Sequence, residues 1–350
     1  MYYFQPDYRN VVDAACNRAS KRLPLYEHII STQVLEEILG QPFSYLASGD
    51  EADKAEYFRR YVGFLKDHGY DIVPFECCVC GILPGGGALG AHKEGVIKTR
   101  EDFEKYPWNE LESAFFQLYT PYFAALGKMM PAGMKAVGGV GNGVFECVQD
   151  LTGYIDLCYI RSDDPELYHD LFSTMGNVIA SIWKRFLTEW GDVYCVMRFG
   201  DDLGFATSTL LPPGDIQEYI IPQYKKVIEA VHQANKPFLL HSCGNIFNVM
   251  NDLIAAGIDA KHSNEDKIAT FPVWVENYGD RIGNFGGIDM NCLCELDKQQ
   301  MREYIADIIK RCGGHGGFAF GTGNSIADYI PAESYLNMIE IVREIRGDFK

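Results

Sequence analysis

The sequence predicts an α/β fold, a (β/α)8 barrel with an N-terminal helical extension. Two observations indicate it: short apolar runs alternate with amphipathic stretches, and most runs end in a polar or glycine-rich cluster. Strands that alternate with helices form parallel sheets, because each helix returns the chain to the same edge. The length of 350 residues fits one large barrel or two ordinary domains.

Seven apolar runs are predicted to be strands. They cover residues 71–75, 134–140, 193–198, 237–240, 258–261, 281–285 and 317–320. An eighth strand is expected within residues 144–154 or between the early helices. About eight such units in about 280 residues are typical of the barrel. A doubly wound sheet is the alternative, but residues 80–90, although glycine-rich, lack the G-x-G-x-x-G spacing of a nucleotide-binding turn.

Helix-start signals lie between these runs. Asp164 before Pro165 predicts the start of a helix that runs to about residue 189. Asp215 with Glu218 predicts a capping box at the start of another. The first 60 residues have a helical and polar pattern. We therefore expect a helical cap over residues 1–60, packed on a catalytic barrel over residues 61–350.

The composition excludes several classes of function. A net charge of −17 disfavours nucleic acid and anionic membranes, because both are bound through Lys and Arg. No basic segment leads into an apolar run near the start, and no stretch of about 20 apolar residues occurs. The 11 cysteines are an odd number. We expect a cytoplasmic protein without signal peptide or membrane span, with reduced thiols.

His241 and Cys243 form the sharpest motif, directly after a predicted strand. Imidazole nitrogen and thiolate sulfur are preferred zinc ligands. Residues i and i+2 of a strand point to the same side, so both side chains can reach one ion. Gly244 frees the backbone to turn after them. The alternative is a core cysteine beside a hydrogen-bonded histidine.

Acidic and polar residues at other predicted strand ends are further candidates. Asp201 and Asp202 are predicted to serve as metal ligand, general base or substrate anchor, or as a helix N-cap. His262 and Glu265 are predicted to hold substrate or metal, or to lie in a solvated loop. Glu146 lies in an apolar stretch, and there it faces the site or pairs with Lys or Arg.

Two cysteine clusters have a weaker metal-site pattern. Cys77, Cys78 and Cys80 lack a second cysteine pair at zinc-finger spacing, and Cys292 with Cys294 lies at a loop-to-helix junction. Small buried thiols are the favoured interpretation of both. The sequence also lacks a G-x-S-x-G elbow and a P-loop, which disfavours serine hydrolases and kinases.

With these motifs in view, the chain resembles the uroporphyrinogen decarboxylase superfamily, and more closely its corrinoid-dependent methyltransferase branch. The motifs are residues 200–204 (GDDLG), 239–245 (LLHSCGN), 257–266 (GIDAKHSNED) and 316–326 (GGFAFGTGNSI). The resemblance covers about residues 60–345. The His-x-Cys-Gly run is fairly specific to the methyltransferases, whereas the other motifs are shared more widely.

The resemblance implies a barrel whose zinc acts as a Lewis acid, with His241 and Cys243 as ligands. In the branch that makes methyl-coenzyme M, a third ligand is the cysteine of a Pro-Gly-Cys turn. Here the matching turn ends in Asn324. An oxygen ligand from Glu146, Asp202 or Glu265 would then have to complete the shell.

A Gly-Asn-Ser turn resembles that of the O-demethylase methyltransferases. The expected reaction moves a methyl group from a methoxylated aromatic to the Co(I) of a corrinoid protein. Asp201, Asp202 and Glu146 are the expected catalytic residues; Asn324, His262 and Glu265 are expected to bind substrate.

Other functions remain open at this point. Methanol and methylamines also fit as methyl donors, and a coenzyme M-type methyltransferase, a metal-free decarboxylase-like lyase and a non-catalytic barrel are the alternatives. The lyase is disfavoured because residues 17–24 lack the Arg-Gln-Ala-Gly-Arg run of the decarboxylases. The oligomeric state is open, a homodimer included.

Overall fold

Eight parallel strands form the barrel wall in the part of the chain that the computed structural model describes, residues 4–90 and 93–349. They are β1 (Leu25–Tyr26), β2 (Ile72–Cys78), β3 (Lys135–Gly141), β4 (Tyr194–Gly200), β5 (Phe238–His241), β6 (Ala260–His262), β7 (Gly283–Ile288) and β8 (Phe318–Thr322). Their order around the wall is β1-β8-β7-β6-β5-β4-β3-β2, with every pair parallel. The predicted (β/α)8 barrel is confirmed.

Helices return the chain between the strands. They are α1 (Arg9–Ala15), α2 (Thr32–Leu39), α3 (Glu51–Asp67), α4 (Arg100–Lys105), α5 (Leu111–Met129), α6 (Val144–Thr152), α7 (Tyr154–Asp163), α8 (Pro165–Trp190), α9 (Pro213–Asp215), α10 (Ile221–Gln233), α11 (Met250–Ala256), α12 (Phe271–Tyr278), α13 (Met290–Glu295), α14 (Lys298–Cys312) and α15 (Ala332–Ile345). Among the described residues, none of these helices combines the length and the apolar character that a membrane crossing requires.

Two predicted helix starts have different outcomes. α8 begins at Pro165 as predicted, and the Asp164 side chain accepts a hydrogen bond from Leu167 N at 2.8 Å. The capping box predicted at Asp215 is wrong. The Asp215 carboxylate instead accepts from Arg161 Nη2 at 2.9 Å and from the Tyr168 hydroxyl at 3.0 Å, which ties α7 and α8 to α9.

The eighth strand is β1, which lies between the early helices α1 and α2. The other location predicted for it, residues 144–154, is wrong, because this segment forms α6 and the first residue of α7. A short apolar run suits a buried helix as well as a strand. β1 lies inside the predicted cap of residues 1–60, and α3 crosses residue 60. The division of the chain at that residue stays a prediction.

The N-terminal end of the barrel is closed by α1. Ala14 and Ala15 of this helix belong to an apolar cluster in the barrel interior. Every strand contributes at least one residue to this cluster, including Val137, Leu239 and Ala319. The contact is close, because a Cβ added at Gly317 would lie 1.9 Å from the Ala14 carbonyl oxygen. A second, larger apolar cluster fills the layer between the strands and the outer helices. The opposite end, where the strands finish, is where polar side chains gather.

Candidate metal centre

The loops that follow β4 and β5 contact each other through two glycines. Gly244 has a φ of +80°, and a Cβ placed on it would lie 2.2 Å from the carbonyl carbon of Gly204. Only glycine permits both this conformation and this approach. Asn245 N donates to Phe205 O at 2.8 Å beside the contact. The two loops are thereby locked together at the mouth of the barrel.

This contact brings three ligand atoms from two strand ends together. His241 Nε2 lies 3.4 Å from Cys243 Sγ and 3.7 Å from Asp202 Oδ1. All three atoms lie within 4.8 Å of one another. Cys243 N also donates to Asp202 Oδ1 at 2.9 Å, which fixes the carboxylate beside the thiol. One imidazole, one thiol and one carboxylate are a donor set that zinc prefers.

His262 orients the ring of His241. His262 Nε2 lies 3.0 Å from the carbonyl oxygen of Thr322, and the Nδ1 atoms of the two histidines are 2.7 Å apart. A carbonyl only accepts, so Nε2 of His262 carries the hydrogen and its Nδ1 accepts one from His241 Nδ1. Nε2 of His241 therefore keeps a lone pair that faces Cys243 and Asp202. Burial lowers the pKa of His262 to about 3 and holds the pKa of His241 well below its usual value.

Two predicted substrate-binding residues, Asn324 and Glu265, lie beside Cys243. Asn324 Nδ2 donates to Cys243 Sγ at 3.3 Å, and Glu265 Oε1 accepts from Gly244 N at 3.1 Å. Burial, followed by the charge of Asp202, raises the pKa of the Cys243 thiol above its usual value. A bound divalent cation would reverse that effect, because it favours the thiolate.

Asp201, a predicted catalytic residue, is buried under the start of α6. Its carboxylate accepts from Phe145 N at 3.0 Å, from Glu146 N at 2.8 Å and from the Tyr224 hydroxyl at 2.6 Å. Burial raises its pKa to about 6. The carboxylate thus stabilises the N-terminus of α6, which comes before it in the chain, whereas the next helix after Asp201, α9, begins at Pro213.

Glu146 lies between Asp201 and the mouth. Its Oε2 accepts from Asn142 Nδ2 at 2.9 Å, and its Oε1 accepts from Asp202 N at 3.4 Å. Burial and the charges of both aspartates raise the pKa of this carboxyl well above its usual value. Of its predicted alternatives, the site-facing one agrees with these contacts, since its partners are an amide and a backbone N–H.

Sequence reasoning missed three residues at the same end of the barrel. His28 follows β1, and its ring stacks on His241 with centroids 3.7 Å apart and planes 4° apart. Arg198 is fully buried and donates to Tyr26 Oη at 2.9 Å, to His28 O at 2.7 Å and to Glu76 Oε2 at 2.7 Å. The sequence signal for Arg198 was a charged residue in the apolar run 193–198, and Glu76 directly follows the run 71–75.

Lys261 is a second buried cation near this end. Its Nζ donates to Ser263 O and lies 3.7 Å from the centroid of the Trp274 ring. Burial lowers its pKa to about 7. The lysine is therefore held between β6 and α12 by a carbonyl and an aromatic face.

Of the clustered cysteines that were predicted to be small buried thiols, Cys77 is buried, and Cys78, Cys80, Cys292 and Cys294 are half-buried. All 11 cysteines have free thiols. Cys80 Sγ lies 3.9 Å from Cys147 Sγ on α6. Cys292 and Cys294 lie on α13, away from the His241 ligand group.

The comparisons with known proteins assign the family. Residues 95–345 match the family model described as Uroporphyrinogen decarboxylase (URO-D), so the chain belongs to this family. A curated relative, the Uroporphyrinogen decarboxylase of Carboxydothermus hydrogenoformans, is 23% identical over 192 residues. That match covers 55% of this chain and 52% of the relative, so it extends over about half of either protein.

Solved structures share the barrel. A methyltransferase from Methanosarcina mazei superposes with a TM-score of 0.73 at 14% identity, over 96% of this chain and 98% of that one. A B12-independent methionine synthase from Shewanella sp. W3-18-1 superposes with a TM-score of 0.50 at 13% identity, over 84% and 87% of the two chains. At such identities the likeness establishes a common fold.

Proposed function

We propose that this protein is a zinc-dependent methyltransferase that moves a methyl group from a methoxylated aromatic to the Co(I) of a corrinoid protein. One observation above all supports the proposal, namely the convergence of His241, Cys243 and Asp202 at the mouth of the barrel. A site with three protein ligands, one of them the Asp202 side chain at 43% exposure, is typical of a catalytic metal that keeps a position for substrate.

The separations between the ligand atoms fit zinc. Bonds of about 2.0–2.3 Å in a tetrahedron place neighbouring ligand atoms about 3.3–3.8 Å apart. His241 Nε2 lies 3.4 Å from Cys243 Sγ and 3.7 Å from Asp202 Oδ1. The three residues would hold the ion with little movement and leave a fourth position for substrate. Of the three oxygen ligands that the sequence offered, Asp202 is the one these distances favour.

The residues around the three proposed ligands orient them or hold their loops in place. His262 keeps the lone pair of His241 Nε2 on the side of Cys243. Asn324 donates to the sulfur, which stabilises negative charge there. Glu146 and Glu265 hold the backbone of the two ligand loops at Asp202 and Gly244. Zinc, when bound, would supply Lewis acidity toward the ether oxygen of the methyl donor.

The reaction balances without a further redox partner. The electron pair of Co(I) forms the new bond to the methyl carbon, and the C–O bond breaks with its pair on the phenolic oxygen. That oxygen then takes a proton from water. The corrinoid is a co-substrate carried by a partner protein, which would present the cobalt at the barrel mouth.

A decarboxylase acting on a polyanionic porphyrinogen is the other function that family membership suggests. Binding several carboxylates requires free cations at the mouth. Arg198 and Lys261, which are buried in this region, are both engaged, Arg198 with Glu76 and Lys261 with Ser263 O and Trp274. These pairings favour the methyltransferase.

Metal content and methyl transfer test the proposal together. Purified protein should contain about one zinc per chain by elemental analysis, and should convert cob(I)alamin to methylcobalamin with 2-methoxyphenol as donor. Cys243→Ala should lose both, whereas Cys158→Ala, at an exposed thiol, should lose neither. Zinc at full occupancy in Cys243→Ala would refute the ligand assignment, and porphyrinogen decarboxylation by metal-free protein would refute the proposed activity.

A further inference from the structure

The His28 ring lies over His241, a proposed metal ligand, and its Nδ1 makes no hydrogen bond to the described residues. The residue lies two positions after β1 and is 5% exposed. Its backbone oxygen accepts from Arg198, which fixes its position. Nδ1 of the ring is buried and has no hydrogen-bond partner among the described residues. An unpaired buried polar atom costs about 1–3 kcal/mol, so Nδ1 of His28 is available to a partner from outside the chain.

The stacking geometry excludes His28 as a ligand of the same ion. A metal bound by imidazole lies in the plane of the ring, at about 2.0–2.1 Å from nitrogen. The rings of His28 and His241 are parallel within 4° and 3.7 Å apart. An ion in the plane of His241 is therefore about one ring spacing from the plane of His28, well beyond bonding distance.

The histidine cluster formed by His28, His241 and His262 is thus not a three-histidine cage, although their nitrogens lie within 4.8 Å of one another. The 2.7 Å contact between His241 and His262 is also shorter than the ligand separations of a tetrahedral ion, about 3.3 Å. It is the length of a hydrogen bond. One ring of the cluster binds metal, one orients that ring, and His28 remains free for a different partner.

We propose that His28 binds the methyl donor by a hydrogen bond from its imidazole to the ether oxygen, and to the phenolic oxygen after transfer. The inference rests on the proposed function and assigns to it a residue that binds the methyl donor. Ile29, the next residue, is 43% exposed, so the segment reaches the surface directly beyond His28. A donor aimed at an oxygen favours methoxylated compounds over methylammonium ions, which have no lone pair to accept it.

The hydrogen bond would also assist the reaction. Negative charge develops on the oxygen as the C–O bond breaks, and a fixed donor interacts more strongly with that charge than with the neutral ether. His28 is held for this by its stack on His241 and by its backbone contact to Arg198, so little reorganisation is needed.

Product binding to zinc-loaded protein tests the proposal apart from turnover. Calorimetric titration with catechol, the product of 2-methoxyphenol, should give about tenfold weaker binding for His28→Phe than for the wild type, the effect of one hydrogen bond. His28→Phe keeps an aromatic ring, so its zinc content and the visible spectrum of its Co(II)-substituted form should not change. His28→Asn should restore most of the affinity. His68→Phe, which also replaces a stacked histidine, is the control.

Each other outcome overturns the assignment. Equal catechol affinity in His28→Phe and the wild type would refute a role in substrate binding and leave the metal centre intact. Loss of zinc in His28→Phe, or failure of His28→Asn to restore binding, would assign His28 to support of the metal ligands or to packing. A wild type that holds zinc but neither binds catechol nor transfers a methyl group from 2-methoxyphenol would refute the proposed function as well.

Discussion

Nδ1 of His241 and Nδ1 of His262 lie 2.7 Å apart, and this contact decides which nitrogen of His241 is free for a metal. Replacing His262, which accepts this hydrogen bond, should therefore weaken zinc binding without removing a ligand. We expect His262→Leu to bind zinc about 10–100-fold more weakly, the usual effect of losing a partner that orients a metal-bound histidine. Competition with a chelator measures it. His315→Leu, at an exposed histidine, is the control, and an unchanged affinity in His262→Leu would contradict the orienting role.

Asn324 lies beside Cys243 at the proposed zinc site. Its Nδ2 is 3.3 Å from Cys243 Sγ, a separation that suits two ligands of one zinc ion. We expect Asn324→Cys to bind zinc at least about tenfold more tightly, because thiolate is a better zinc ligand than amide. Occupation of the fourth position should lower methyl transfer from 2-methoxyphenol at the same time. A chelator competition and the cob(I)alamin assay measure the two effects, and Asn324→Ser, which adds no sulfur, is the control.

Asp201 is expected to contribute to stability rather than to chemistry. Asp201→Asn leaves the backbone donors of α6 and the Tyr224 hydroxyl with a weaker set of acceptors, so we expect a loss of about 1–3 kcal/mol in the free energy of unfolding. Urea denaturation measures it. Tyr224→Phe, which removes one of the three donors, should lose about 1 kcal/mol. An Asp201→Asn protein of full stability and no activity would restore the catalytic role that the sequence predicted.

Removing one charge of the buried Arg198–Glu76 ion pair should strongly lower the free energy of unfolding. Glu76→Gln leaves a guanidinium of 0% exposure without its counter-charge, and such changes cost about 3–5 kcal/mol. The double variant Glu76→Gln/Arg198→Met should be less destabilised than the sum of the single changes, since no unpaired charge remains. Denaturation of all four proteins gives the coupling. Strict additivity would show that the pair acts independently.

Glu27 should make stability depend on pH. Burial raises the pKa of this carboxyl from 4.5 to about 7. A folded-state pKa above the unfolded value stabilises the folded form fully below about pH 4.5, and this stabilisation is lost as pH rises through 7. Relative to Glu27→Gln, the wild type should lose about 3 kcal/mol between pH 4 and 8. Urea denaturation across that range tests the sign, and parallel profiles for the two proteins would contradict it.

Sequence patterns predicted the strands and helices that are long enough to show a periodic distribution of apolar residues. Seven of the eight strands and the start of α8 follow from apolar runs and a proline after a cap. β1 has two residues, too few to show a strand pattern, and it lies in a segment with a helical and polar composition. The strand predicted within residues 144–154 was wrong because a buried helix of nine residues and a buried strand have similar apolar content.

Some residues of the candidate site could likewise be predicted from the sequence, and others could not. His241, Cys243 and Asp202 could be proposed from the sequence because each lies at the end of a strand or two residues beyond it, where a barrel places its active residues. His28 and Glu76 could not be assigned to the site, because their positions depend on contacts between strands distant in sequence. The Arg198–Glu76 pair spans 122 residues, and the stack of His28 on His241 depends on where β1 joins the barrel. Asp201 is adjacent to Asp202, but only the fold shows that its carboxylate accepts hydrogen bonds from backbone N–H groups of α6.

The strand order also has a mechanical consequence. β1 and β2 are the two ends of the ladder, and within residues 4–90 and 93–349 no strand pairing joins them. Arg198 spans this gap, with hydrogen bonds to His28 O on one side and to Glu76 on the other. The barrel is therefore expected to be most compliant at β1, which ends two residues before His28. Amide hydrogens of β1 should exchange faster than those of β5, and a small outward movement of β1 would lift the His28 ring from His241 while the metal ligands stay in place.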